Sequence, residues 1–352
     1  MKRIIKIIAI LSILSLYCSK PEDFLGVLEI KSDPEGATVY INGKEVGKTN
    51  MEIELPPGEY TVKLTKTDYI DYEKSITVES GKQAELSVAL QRSSITEHGL
   101  TFAHVLAGWF TMGSEDSDAW DDEKPEHQVY LDGYYISKYE VTNAQYCKFL
   151  NAIGVKPEDG NTGYVYYNGE KICWIGDGDD WDEQILYDGS RFYVKGGYED
   201  YPVIYVTWYG AKAFCEYYGW RLPTEAEWEK AARGTDGRKY PWGNSSPNSN
   251  LANYDDNVGH TTPVGSYPQG ASPYGCTDMA GNVWEWCNDW YDEDYYENSP
   301  DHNPKGPSSG SYRVLRGGGW YSGVGYIRCA YRNYSAPSRS WGDVGFRPVR
   351  DE

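Results

Sequence analysis

The groups richest in chemistry here are thiols, imidazoles and carboxylates, and their spacing excludes more than it offers. Of seven cysteines, Cys18 belongs to an N-terminal segment, and Cys147, Cys173, Cys215, Cys276, Cys287 and Cys329 follow with no CxxC pair and no cysteine/histidine cluster. A zinc site therefore has no recognisable ligand set. An even number beyond Cys18 permits disulfides in an exported chain, with connectivity left open. His98, His104, His127, His260 and His302 are scattered without ligand spacing. Two acidic runs read as solvated loops or stay unassigned: Asp116 to Glu123, with Asp121 and Asp122, and Asp177-Gly178-Asp179-Asp180, which lacks the spaced glycine and terminal glutamate of an EF-hand.

Aromatic chemistry is the stronger signal. The chain holds 33 Tyr and 13 Trp against 7 Phe, so most of its aromatic area comes with a hydrogen-bonding tip suited to half-buried or ligand-facing positions. The densest stretch is Trp320 to Asp343, written in the Tyr, Trp, Ser, Asn and Arg alphabet of recognition surfaces. Within it Tyr321, Tyr326, Tyr334 and Trp341 are expected as exposed anchors, with Ser322, Asn333 and Arg339 as polar contacts. Trp320, Arg328 and Arg332 divide evenly between ligand contact and core filling. A formal charge of -20 excludes nucleic acid and an anionic membrane face as partners and leaves calcium compatible.

The elements that position these residues fall into a targeting segment and two domains, as a chain of 352 residues allows. Lys2, Arg3 and Lys6 precede an apolar run from Ile7 to Tyr17, the layout of an export signal spanning residues 1–18. Cys18 ends the run as in a lipoprotein signal, which would make it the acylated first residue, although Ser15-Leu16-Tyr17 departs from the usual leucine, small, small sequence. From 19 to 92, short alternating runs such as Thr38-Val39-Tyr40-Ile41 and Tyr60-Thr61-Val62-Lys63-Leu64, punctuated by Asn42-Gly43, Pro56-Pro57-Gly58 and Ser80-Gly81, predict a small all-β sandwich. Polar residues 93–100 read as a linker. Beyond it, residues 101–352 place a few helices among long irregular stretches. Thr142-Asn143-Ala144-Gln145 and Thr224-Glu225-Ala226-Glu227 are capping boxes opening helices to Leu150 and Arg233, and a third helix is expected from Thr207 to Tyr218.

Two resemblances follow from longer strings. Ser32-Asp33-Pro34-Glu35-Gly36-Ala37 with Asn42-Gly43 and Pro57-Gly58-Glu59-Tyr60 resembles the PEGA family of extracytoplasmic modules. Arg221-Leu222-Pro223-Thr224-Glu225-Ala226-Glu227-Trp228-Glu229, Asp278-Met279-Ala280-Gly281-Asn282-Val283-Trp284-Glu285-Trp286, Arg316-Gly317-Gly318-Gly319-Trp320 and Gly345-Phe346-Arg347 occur in the order of the formylglycine-generating enzyme, or sulfatase-modifying factor, family. That resemblance implies an α+β C-type-lectin-like fold with much irregular structure, steadied by calcium. It puts one calcium on Asp278 and Glu285 with the carbonyls of Gly281 and Val283. It puts another on Asn253 and Asp256 with the carbonyls of Tyr254 and Val258.

The same resemblance argues against the family's oxidase reaction. Catalytic members hold copper(I) with two cysteines beyond the glycine run, and soft thiolates are what that ion needs. Here Ser322 stands at the first position, the second has no counterpart, and Cys329 matches a structural cysteine whose disulfide partner corresponds to Ala232. Copper is therefore not expected. The segment after the glycine run also resembles retroelement-diversified variable proteins of this fold, whose binding residues lie between a Gly-Trp run and a Gly-Phe-Arg string. The expectation is an exported, lipid-anchored protein of the cell envelope that binds an extracytoplasmic protein, peptide or glycan and touches membrane only through its anchor. The rivals are a formylglycine-type oxidase with a diverged site and a structural envelope protein.

Overall fold

A computed structural model describes residues 25–352 apart from Trp181. The export segment and Cys18 lie outside the described residues. The chain divides into two compact units, one ending at Ser94 and one running from Ile95 to Glu352. Among the described residues no helix is long and apolar enough to cross a membrane.

The small unit is the expected sandwich. One sheet joins Met51–Leu55, Gly26–Asp33 and Gln83–Ala89, and the other joins Lys44–Lys48, Thr38–Ile41, Gly58–Thr65 and Tyr72–Val78. Strict alternation of burial along Gly26–Asp33 sends Leu28 and Ile30 inward, where they meet Val39, Val62 and Leu64. Asn42 and Gly43 both take positive φ, 49° and 78°, which is the backbone a two-residue hairpin turn demands.

Residues 93–100 are not a free linker. Ser94–Glu97 forms the edge strand of a four-stranded sheet with Leu100–Val105, Tyr134–Ser137 and Val349–Asp351. The polar composition that suggested a linker is that of an edge strand with one solvated face.

The large unit has three α-helices among its described residues. These are α1 (Asn143–Ile153), α2 (Trp208–Tyr217) and α3 (Glu225–Arg233), each opened by the threonine predicted. Thr142 and Thr224 close capping boxes with Gln145 and Glu227, and Thr207 caps through its hydroxyl alone. Around α1 and α2 gathers one apolar core with Tyr146, Phe149, Trp208, Phe214 and Phe346. A second surrounds Trp228 of α3 with Phe110, Tyr134, Met279 and Cys329. All six described cysteines are free and buried, so their even count reflects packing rather than disulfides. Cys329 and Ala232 lie in the same core, where alanine offers no sulfur.

Buried ion pairs tie the loops together. Every residue of α3 is buried although Glu225, Glu227, Glu229, Lys230 and Arg233 are charged. Arg316 bonds Glu225 at 3.1 Å and Glu229 at 2.5 Å, and Arg332 grips Glu225 at 2.8 and 3.0 Å. Arg347 grips Glu285 twice at 2.6 Å. A buried charge is tolerated only when paired and hydrogen-bonded, so the family's charged strings are the internal frame of a domain short of regular structure.

Candidate functional site

A four-stranded sheet carries the aromatic C-terminal stretch, with Asn333–Ser335, Arg313–Arg316, Trp284–Trp290 and Val344–Gly345 in that order. After Arg316 the chain turns back on itself. Gly318 has φ 81°, and a Cβ there would meet Ile327 Cγ2 at 2.7 Å, so only glycine lets the loop close so tightly. The Ser322 hydroxyl oxygen accepts the Gly319 N–H at 3.0 Å, and Arg328 donates through Nε to the Gly325 carbonyl.

Ser322 is therefore not a surface contact. It is 6% exposed, and its side chain is a turn-forming group inside the loop. Arg328 and Arg332 are core residues as well: Arg328 pairs with Glu123 through both Nη atoms at 2.6 Å, and Arg332 with Glu225. Glu123 thus leaves the solvated loop assigned to Asp116–Glu123, because a glutamate opposite a buried guanidinium is drawn inside with it.

Tyr321, Tyr326, Tyr334 and Trp341 are 54%, 41%, 46% and 49% exposed. Tyr326 meets the edge of Tyr331 at 5.0 Å, and Tyr331 lies 5.8 Å from Trp120 and 5.9 Å from Trp284. Tyr334 stacks on Tyr291 at 4.1 Å and leans on Tyr312 at 5.0 Å. Between these groups lies Asp122, which accepts the Tyr291 hydroxyl at 2.8 Å. Next along the strand, the Ser335 hydroxyl accepts the Trp341 indole N–H at 3.3 Å, and Arg339 stands 6.0 Å over the same ring. Asn333 is half-buried and its carboxamide oxygen caps the Tyr334 N–H. Tyr321 packs against the half-buried Trp320 at 5.1 Å. Its hydroxyl donates to Asp343, and burial first, then the Asp343 charge, pushes it up to about 12. Trp120, Tyr291 and Tyr312 are members that the local alphabet could not reveal, since they lie outside the Trp320 to Asp343 stretch.

Burial pushes Cys329 up to about 12 and Cys147 up to about 11, which keeps both thiols protonated and lowers their nucleophilicity.

The two oxygen-rich loops differ. Asn253 is buried and donates its amide N–H groups to the His260 carbonyl and the Asn282 side chain, which fixes its Oδ1 as a buried acceptor with no hydrogen-bond partner. An orphaned amide oxygen is what a calcium ligand looks like before the ion is considered. Asp256 follows on an exposed loop with φ 58°, with Tyr254 half-buried and Val258 exposed. These residues fit a calcium ion. In the other loop Asp278 accepts from the Gly265 N–H and the Thr277 hydroxyl. Glu285 is less suited than the resemblance implies, because Arg347 binds both its oxygens and the Trp228 indole donates to one at 2.8 Å. The Asp278 carboxyl is raised chiefly by burial, and Glu140 nearby is raised well above its usual range by burial and by Asp278 and Glu285. Among the described residues no three His, Cys, Asp or Glu side chains converge as a metal-binding group, so any ion here would draw on carbonyl and amide oxygens. Gly281, whose carbonyl belongs to that set, packs against the Asn253 backbone, where a Cβ would sit 2.1 Å from the Asn253 carbonyl.

Comparison with known proteins matches residues 90–352 to the sulfatase-modifying factor enzyme 1-like domain and residues 25–94 to the PEGA domain. The formylglycine-generating enzyme of Mus musculus is 34% identical over 282 residues, covering 70% of this chain and 73% of its own. The serine/threonine-protein kinase Pkn1 of Chlamydia trachomatis is 41% identical over 248 residues, covering 69% of this chain. The chain spans only 36 to 37% of the chlamydial kinases it matches. Among solved structures, Treponema denticola variable protein 1 aligns with a TM-score of 0.52 and 27% identity, covering 74% of this chain and 98% of that one.

Proposed function

The chain belongs to the sulfatase-modifying factor enzyme 1-like family, and from that premise we propose that its large domain is a binding module rather than an oxidase. The observation that carries this reading is the set of exposed rings Tyr326, Trp120, Tyr334 and Tyr312, backed by the buried Tyr331 and the half-buried Tyr291, with Trp341 and Arg339 exposed across the edge strand beside Ser335. Such area binds at low entropy cost, since each ring has few torsions to fix. Ser322 supports the same reading, because a buried hydroxyl stands where the catalytic relatives require a thiolate.

In this reading the PEGA domain acts as a spacer outside the cytoplasm, the export segment places the chain in the cell envelope, and Cys18 carries the lipid. The partner is an extracytoplasmic protein, peptide or glycan. Calcium bound through Asn253 and Asp256, with the carbonyls of Tyr254 and Val258, supplies charge-balancing coordination that orders a loop lacking helix or strand. The test is a peptide and glycan binding screen on the full-length chain, repeated with Tyr321, Tyr326, Tyr334 and Trp341 each changed to alanine. Ligands retained by all four variants at full affinity overturn the assignment.

A further inference from the structure

Five arginines of the large domain, Arg233, Arg316, Arg328, Arg332 and Arg347, are buried and each meets a glutamate. Arg313 breaks the pattern. Its guanidinium is clamped between two indoles, 3.5 Å from the Trp290 ring centre and 3.7 Å from that of Trp208. One Nη donates to the Asn288 carbonyl, while Nε is buried with no acceptor. Among the described residues no carboxylate lies within ion-pair distance. Burial pushes its pKa down to about 10, with Tyr209 and Asp289 acting in the opposite sense.

Stacking on two rings returns part of the cost of desolvating a cation, but an apolar side chain would fill the slot without that cost. The position of the slot says what the charge is for. Arg313 is the ladder partner of Ser335 on one side and of Trp290 on the other, so the three share a face of the sheet. Ser335 holds Trp341, over which stands Arg339, exposed and likewise without an ion-pair partner among the described residues. In a chain of charge -20, this corner therefore presents two guanidinium groups with no counter-ion.

We propose that this corner, across the edge strand from Tyr334, binds a ligand carboxylate, which docks on the Arg313 guanidinium beside Trp290 and Ser335 and is steered there by Arg339. The inference rests on the binding reading above and names the chemistry of its ligand. A carboxylate is planar and singly charged, matching one guanidinium edge. A phosphate would bring a second negative charge into a strongly acidic protein.

The probe pair is N-acetyltryptophan and N-acetyltryptophanamide, which differ only in the carboxylate, titrated into the full-length chain while the Arg313 Nε–H resonance is followed by NMR. A saturable shift with the acid and none with the amide is expected. Arg313→Lys keeps the charge but loses the fork and should weaken the acid at least tenfold, and Arg339→Gln about two- to fivefold. Equal response to acid and amide, a larger response to inorganic phosphate, or no saturable shift overturns the proposal, and the wild-type contrast holds even if a variant fails to fold. A ligand found on Trp341 whose affinity Arg313→Lys leaves unchanged overturns the carboxylate and spares the binding reading. Acid docking at Arg313 that ignores Trp341→Ala overturns the role of Trp341 as an anchor instead.

Discussion

Glu123 and Arg328, 205 positions apart, meet in a two-pronged ion pair at 2.6 Å with neither side chain reaching solvent. The pair pins the acidic segment carrying Trp120 and Asp122 against the loop carrying Tyr326. Removing one partner strands a buried charge, so Glu123→Gln should cost about 3–5 kcal/mol. For a domain of this size that lowers the melting temperature by roughly 6–20 °C. Replacing both partners by apolar residues should recover much of the loss, and calorimetry of the single and double variants checks it.

Exposure separates anchors from core. Tyr326→Ala and Trp341→Ala should change stability by no more than about 0.5 kcal/mol while weakening a ligand found in the screen by roughly tenfold or more. Tyr331→Ala, whose ring is buried between Trp120, Trp284 and Tyr326, should instead destabilise by about 3–5 kcal/mol. Melting temperature and affinity measured on the same samples distinguish the two classes.

Calcium should raise stability by mass action, by about 2.7 kcal/mol when its concentration is a hundredfold above Kd. Chelation should lower the melting temperature accordingly. Asn253→Leu should abolish that response, since it removes the orphaned acceptor. Glu285→Gln should leave the response in place while destabilising the fold, because its carboxylate serves Arg347. Equal melting curves with and without chelator in the wild type would sink the site.

Formylglycine formation should be absent. Supplied with copper(I), oxygen and a cysteine-containing sulfatase peptide, the protein should yield no aldehyde by mass spectrometry. Aldehyde formation lost in Cys329→Ser would show that the buried thiol of Cys329 becomes available and would reverse the conclusion.

Lys230 gives the pH dependence a sign. Its ammonium donates to the carbonyls of Leu106 and Gly108 at 2.8 and 2.9 Å with no carboxylate partner among the described residues, and burial pushes its pKa down to about 8. The folded value lies below the unfolded one near 10.4, so the unfolded chain binds more protons between them and stability rises with pH across that window. The gain relative to Lys230→Met should be on the order of 1–3 kcal/mol from pH 8 to 10.5, read by denaturant unfolding. A constant difference between the two proteins over that range refutes it.

Local chemistry was written in the sequence. The capping threonines of α1, α2 and α3, the Asn42-Gly43 hairpin and the alternation of Gly26–Asp33 depend on residues a few positions apart, and each emerged where expected. So did the exposure of Tyr321, Tyr326, Tyr334 and Trp341, which stand in loops or on a short edge strand. What only the tertiary structure decided depends on partners far along the chain. Glu123 changes from solvated acid to buried counter-ion because Arg328 arrives 205 residues later, and Glu285 loses its freedom as a ligand to Arg347. Trp120, Tyr291 and Tyr312 join the aromatic face for the same reason. Whether a carboxylate is solvated, paired or free to coordinate is set by the charge a few ångströms away, because the energy of a charge depends on its neighbours and its dielectric rather than on its position in the chain.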